Sequence, residues 1–206
     1  AGERLINKVF ARVFQSHAMG RLVIGYFDWE AGVGTPPTLA RLQAQTGCSR
    51  TLAAFVGVAR VARLLSSVPH PTDRRNKVLV PGVRVIQGLR DWLHHHLLLA
   101  EVIRLMPPGS ARRLSVDDDY FRRYVRASTV VIDGLPELRQ RFPLWDWFEQ
   151  HECGLRMAYA LLAAHYRRCL AEQRPLHHSI ELEVSGGGIA ALLGLSKSHV
   201  RNVLNG

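Results

Sequence analysis

Side chains suited to reading and neutralising a polyanion fall in two stretches of this 206-residue chain. The later one runs Gly188-Ile-Ala-Ala-Leu-Leu-Gly194-Leu-Ser196-Lys197-Ser198-His199-Val200-Arg201-Asn202-Val203-Leu204. Split at Gly194, it reads as two short helices. Gly194 permits a left-handed bend, Ser196 can cap the second helix, and Ala190 is small where the helices must approach. Val200 then faces inward, and Lys197, Ser198, His199, Arg201, Asn202 and Asn205 face outward. An amide such as Asn202 can pair with an adenine edge, and Lys197 and Arg201 suit guanine or phosphate. Ser185 and the glycines after it open the first helix with N–H groups that can meet a phosphate. The alternative is a plain solvated helix face.

The earlier stretch has the same plan. Thr46-Gly47-Cys48-Ser49 is a turn ending in a cap, followed by Arg50, Thr51 and a helix predicted to reach Arg63. Beyond the cap, this helix runs Leu-Ala-Ala-Phe-Val-Gly-Val-Ala, with little that can bond a base edge. Contact there is expected from Arg50 and Arg60 on phosphates, with Ala54 or Phe55 available to a thymine methyl. Arg74, Arg75 and Lys77 follow in a polar, proline-rich loop with Asp73. The alternative is a unit that packs on protein and binds no nucleic acid.

The elements positioning these groups are mostly helical. A helix is predicted from Leu5 to Trp29, broken by Gly32, Gly34, Pro36 and Pro37. Thr38 caps a short helix, Leu39 to Gln45. Leu64–Ser67 and Lys77–Val80 read as paired strands around the 68–76 loop. A long helix follows from Val83 to Leu105 and stops at Pro107-Pro108-Gly109. Ser115-x-x-Asp118 reads as a capping box for a helix carrying Tyr120, Phe121 and Tyr124, interrupted by Gly134 and Pro136. One long helix is expected from Leu144 to Glu172. Ile180–Val184 alternates apolar and acidic residues, as a half-buried strand does.

In the order helix, strand, helix, turn, helix, strand, strand, the segment from Thr38 to about Arg90 resembles the MarR-like winged-helix transcriptional regulators. The residues carrying the resemblance are Thr46-Gly47-Cys48-Ser49-Arg50 and His70-Pro71-Thr72-Asp73-Arg74-Arg75, with Leu79 in the strand position. The resemblance implies that Arg75 enters a minor groove and that Asp73 orients it by a charge-assisted hydrogen bond. The chain departs from the family at Pro81-Gly82, where Leu-Thr is usual. A second such unit at the C-terminus also lies outside the family plan.

Composition points the same way. Lys and Arg number 27 against 17 acidic residues, a net charge of +10. Nucleic acid is the first polyanion to consider and an anionic membrane surface the second. No apolar run is long enough to span a bilayer, and no signal peptide is evident, so a cytoplasmic protein with no membrane partner is expected. Three scattered cysteines fit a reducing compartment. The chain begins without Met and stops just after its closing helix, so a piece of a longer protein is expected, with any wing beyond Gly206 outside it.

Other motifs carry less. Gly186-x-Gly188-x-x-Ala191 fits a dinucleotide fingerprint, but no second strand and acidic residue follow. His94, His95 and His96 point in different directions on one helix, so no metal is expected. His151-Glu152 lacks the second histidine of a metallohydrolase helix. Cys48 beside Arg50 could sense redox state or sit buried in its turn. Trp92, Tyr120, Phe121, Tyr124, Trp145, Trp147, Phe148 and Tyr159 could line an effector pocket or fill the core. Asp117-Asp118-Asp119 suits a first helical turn.

The expected fold is mainly α. Two winged helix-turn-helix units, the second cut off before its wing, are joined by a helical region, with a division at 1–106 and 107–206. The expected function is sequence-specific binding of double-stranded DNA by a transcriptional regulator. The protein is expected to be no enzyme, to carry no cofactor, to form a homodimer through the long helices, and to have a small-molecule effector as a candidate partner. The alternatives are a plasmid-type replication or partition initiator with tandem winged helices, and a protein-interaction adaptor that uses the units as scaffold.

Overall fold

A computed structural model describes residue 10 and residues 13–47 and 49–205. The protein is mainly helical, with one small two-stranded antiparallel sheet. In chain order the described elements are α1 (Val13–Glu30), α2 (Leu39–Thr46), α3 (Ser49–Val61), β1 (Leu65–Pro69), β2 (Lys77–Pro81), α4 (Val83–Val102), α5 (Ser110–Val116), α6 (Asp118–Ala127), α7 (Thr129–Arg141), α8 (Pro143–Gln150), α9 (Gly154–Ala171), α10 (Gly186–Leu193) and α11 (Lys197–Leu204). Packing divides the chain within α7, at Leu135–Pro136, and not near residue 106 as the sequence suggested. The prolines at 107 and 108 read as a boundary, but α5 and α6 pack with α4 and α1 in one core.

In the first unit α1 turns Ala18, Met19, Leu22, Val23, Ile24 and Phe27 inward. They meet Leu52, Phe55, Val56 and Ala59 of α3, Leu93 and Leu97 of α4, and Leu114 and Phe121 of α5 and α6. Phe121 is fully buried and stands edge-on to Phe27 at 5.8 Å. Ion pairs tie α6 and α7 back to α1: Arg126 to Asp28 at 2.7 Å, Arg122 to Glu30, and Arg21 to Asp133 at 2.8 Å. Leu5, Val9 and Cys48 lie outside the described residues.

Three expected features differ. Ser115 does not cap a helix: it lies within α5, where its hydroxyl donates to the Ala111 carbonyl. Asp117 caps α6 instead, accepting from the Tyr120 N–H at 2.9 Å. Gly134 and Pro136 do not interrupt the helix, because α7 runs through both, although Pro136 cannot donate the hydrogen bond that an interior residue gives to the carbonyl four residues back. The single helix expected from Leu144 to Glu172 is broken into α8 and α9 at Cys153, which takes a left-handed φ of 56°.

The second unit is built on Met157, Ile189, Ala190, Val200 and Val203, packed with Phe148, Leu161, Leu193 and Leu195. Ile180–Val184 forms no strand. Alternation alone does not make one without a neighbouring edge to pair with, and among the described residues the only strands are β1 and β2.

Gly154 makes the break between α8 and α9 a built feature, since a Cβ there would overlap the Phe148 carbonyl. Gly154→Ala should therefore lower stability by about 1–3 kcal/mol. Urea denaturation followed by the fluorescence of Trp145 and Trp147 measures this, and an unchanged midpoint would show that the contact gives way freely.

Candidate nucleic-acid interface

In the first unit, Thr38 caps α2 by accepting from the Arg41 N–H at 3.3 Å. Gly47 ends the helix at a φ of 68°, a conformation that costs glycine little. The chain can therefore turn at once into α3. That helix buries Leu52, Phe55, Val56 and Ala59 and exposes Arg50, Thr51, Ala53, Ala54, Gly57, Val58, Arg60 and Val61. Phe55 stands edge-on to Phe10 and Phe14 at 6.1 Å each. It is core, and only Ala54 of the two suggested thymine contacts faces outward. Ser49 opens α3, and its side chain lies outside the described residues.

The sheet places the loop that follows. β1 and β2 pair with Leu65 opposite Pro81 and Pro69 opposite Lys77. Thr38 adds one bridge to Val78, and Leu79 N–H donates to the Pro37 carbonyl at 2.8 Å, so the lead into α2 lies along β2. The Pro81-Gly82 departure noted in the sequence has a local cause. Gly82 N–H donates to Leu64 O at 2.8 Å, and a Cβ at 82 would crowd the carbonyls of Arg63 and Leu64.

Between the strands the loop organises itself. His70 Nδ1 accepts from the N–H groups of Thr72 and Asp73. The Asp73 carboxylate accepts from the Arg75 backbone N–H at 3.0 Å and from the Asn76 amide at 2.7 Å. These two bonds, the backbone one first, hold the Asp73 carboxyl below the usual carboxylate range. Asp73 thus shapes the turn through the Arg75 main chain and not through its guanidinium, which corrects the orienting role implied by the resemblance. The parts played by His70 and Asn76 were missed in the sequence, although both flank the Asp-x-Arg stretch and both side chains commonly close turns.

Charge separates sharply within this unit. From residue 31 to residue 90 there are nine cationic side chains and one carboxylate, Asp73. Arg74, Arg75, Lys77, Arg50 and Thr51 are all exposed. Among the described residues, none of those four cations has a carboxylate within ion-pair distance, whereas Arg122 and Arg126 of α6 are engaged with Asp28, Glu30 and Asp118.

In the second unit, Ser185 caps α10 by accepting from Gly188 N–H at 3.0 Å, and Gly194 turns the chain at a φ of 66°. Ser196 caps α11 by accepting from His199 N–H at 3.2 Å. Val200 and Val203 are buried, while Lys197, Ser198, Arg201 and Asn202 are exposed. Trp147 Nε1 donates to Val203 O at 3.0 Å and fixes the end of α11. His199 differs from its fellows: its ring is half-buried, and Nε2 lies 2.7 Å from the Glu152 carbonyl. It anchors α11 and is not available as a base contact. From residue 177 to residue 205 the sequence has two cationic side chains, Lys197 and Arg201, and two carboxylates, Glu181 and Glu183, so this stretch lacks the cationic excess of the first.

Neither a family model, nor a curated protein, nor a solved structure matches the chain.

The remaining candidates resolve locally. His94 Nδ1 meets Ala111 O and the Ser115 hydroxyl, while His95 and His96 turn back to the carbonyls of Asp91 and Trp92. No group of three metal-ligating side chains occurs among the described residues. Glu101 accepts from the N–H groups of Gly109 and Ala111. Trp145 and Tyr159 stack edge-on at 5.5 Å. No described helix is long and apolar enough to cross a membrane.

Because the Asp73 carboxyl is depressed in the folded loop, its contribution is complete above the ordinary aspartate range and is lost as pH falls through the depressed value. The Arg75 amide resonance should titrate with a midpoint below about 3.9, and Asn76→Ala should move that midpoint upward. A midpoint at the ordinary value would contradict the bonding described.

Proposed function

We propose that this protein binds double-stranded DNA and acts as a sequence-specific transcriptional regulator of winged-helix type. Its first unit supplies most of the electrostatic attraction. The observation that carries the reading is the set of exposed cations on the β1–β2 loop and the start of α3, Arg50, Arg74, Arg75 and Lys77, which have no carboxylate partner among the described residues. They stand on a helix, turn, helix and hairpin in the order of a MarR-like winged helix. A phosphate backbone takes up such groups by releasing counterions. In the second unit α10 and α11 form the second helix-turn-helix, with Lys197, Arg201 and Asn202 on its outer side as the richer set for base edges.

The α3 helix works mainly by shape. Its outward face is Ala53, Ala54, Gly57, Val58 and Val61, which offers methyl groups and close approach but no paired donor and acceptor. The same face is what favours a second reading, in which the unit docks on protein as an adaptor. A small-molecule effector belongs to the regulator reading. Phe121, one of the aromatic residues suggested for its pocket, is core.

Salt dependence of duplex binding separates the two. Fluorescence anisotropy across a salt series should give a steep fall in affinity, and Arg75→Ala should flatten the slope by about one ion equivalent. Arg201→Ala with Asn202→Ala should instead cost about 1–3 kcal/mol per lost base contact, on the preferred sequence only. Absence of duplex binding at low salt would favour the adaptor and overturn the regulator.

A further inference from the structure

We propose that the outer face of α9 docks an acidic amphipathic helix of another protein. Tyr159, Leu162, Tyr166 and Leu170 follow one another at steps of three, four and four residues, which puts them on one stripe of the helix. All four are exposed, Tyr159 at 50% and Leu170 at 68%. The core-facing side of α9 is a different one, made of Gly154, Met157, Ala158 and Cys169. The row beside the stripe runs Arg156, Ala160, Ala163, Arg167, so an arginine stands at each end with two small side chains between them. Along the opposite edge the chain returns on the helix: His165 Nε2 lies 2.9 Å from the Leu176 carbonyl, and Arg174 N–H donates to Cys169 O at 2.8 Å. The stripe is therefore bordered by main chain on one side and by cations on the other.

Shape and charge commit the face to that occupant. A stripe at steps of three and four receives the apolar side of a second helix, and Ala160 and Ala163 let its backbone come close. Tyrosine and arginine are the side chains enriched where proteins meet, and a tyrosine ring buries area with few rotamers to lose. Among the described residues, neither Arg156 nor Arg167 has a carboxylate within ion-pair distance. Glu149 and Glu172, on the neighbouring segments, are engaged by Arg139 at 2.9 Å and by Arg168 at 2.6 Å. Arg156 and Arg167 stand eleven residues apart, about 16 Å along the axis, so a helix with carboxylates three turns apart meets both. A second copy of this chain does not fit, because pairing two such faces sets arginine against arginine in a protein of net charge +10. Duplex nucleic acid would take the arginines and leave the apolar stripe uncovered.

Peptide binding to the full chain tests this without nucleic acid, so its outcome is separate from that of the DNA-binding reading. The probe is a fluorescein-labelled helical peptide of about 18 residues, with leucines along one face and glutamates three turns apart on its edge. Its anisotropy should show saturable binding, and the same peptide with lysines for those glutamates should bind about tenfold more weakly or worse. Arg156→Glu with Arg167→Glu should reverse that preference. Leu170→Ser should weaken binding of the glutamate peptide about tenfold. All three side chains are exposed, so circular dichroism should be unchanged. Failure of the glutamate peptide to bind, or a preference that survives both arginine substitutions, would overturn the proposal. So would displacement of the bound peptide by duplex DNA, or a dimer of the chain that Leu170→Ser dissociates, since each assigns the face to another occupant.

Discussion

The arrangement turns on where the carboxylates are spent. Asp28, Glu30, Asp118 and Asp133 are taken up by Arg126, Arg122, Arg90 and Arg21 within the helical body of the first unit. Two of these arginines also lie over aromatic faces, Arg90 on Phe121 at 4.3 Å and Arg122 on Phe27 at 4.7 Å. The hairpin side receives a single carboxylate, and that one is consumed by the turn it forms. Exposed ion pairs of this kind add little stability. Their effect here is distribution: acidic groups are held against the body, and the cations of the loop and of α3 keep an uncancelled field.

Much of this was legible in the chain. Thr38, Gly47, Ser185, Gly194 and Ser196 announced helix starts and stops because caps and left-handed turns admit few residue types. Val200 turned inward as its period required. The strands around 68–76 were legible from their apolar runs and the proline-rich loop between them. What failed were inferences in which one residue has two equally local uses. Ser115 could cap or back-bond, and Asp117 won the cap. Pro136 could break a helix or be absorbed in one. Ile180–Val184 carried a strand pattern but had no edge to join. Phe55 could face a groove or the core, and its place on the inward stripe with Leu52, Val56 and Ala59, against Phe10 and Phe14, decided it.

The two corners, α2–α3 and α10–α11, expose different side chains. The first has the charge but an α3 face of small apolar residues; the second has amide and guanidinium groups but, from residue 177 onward, as many carboxylates as cations. His199 shows how the sequence overstated the second corner, because its outward period at the start of α11 gave no sign of the Glu152 carbonyl waiting beside it. The role of Asp73 shows a subtler limit. A carboxylate two residues before an arginine fits a side-chain pair and a turn bond equally well, and the folded loop takes the turn bond.

The most direct measurement is a residue-resolved map of duplex contact on the intact chain. Backbone amide shifts recorded while a random-sequence duplex is titrated in at low salt should move first at Arg50, Thr51 and residues 74–77, with residues 197–202 following when a preferred sequence is supplied. A duplex that bound while leaving residues 74–77 unmoved would contradict the account, as would a chain whose spectrum ignored the duplex altogether.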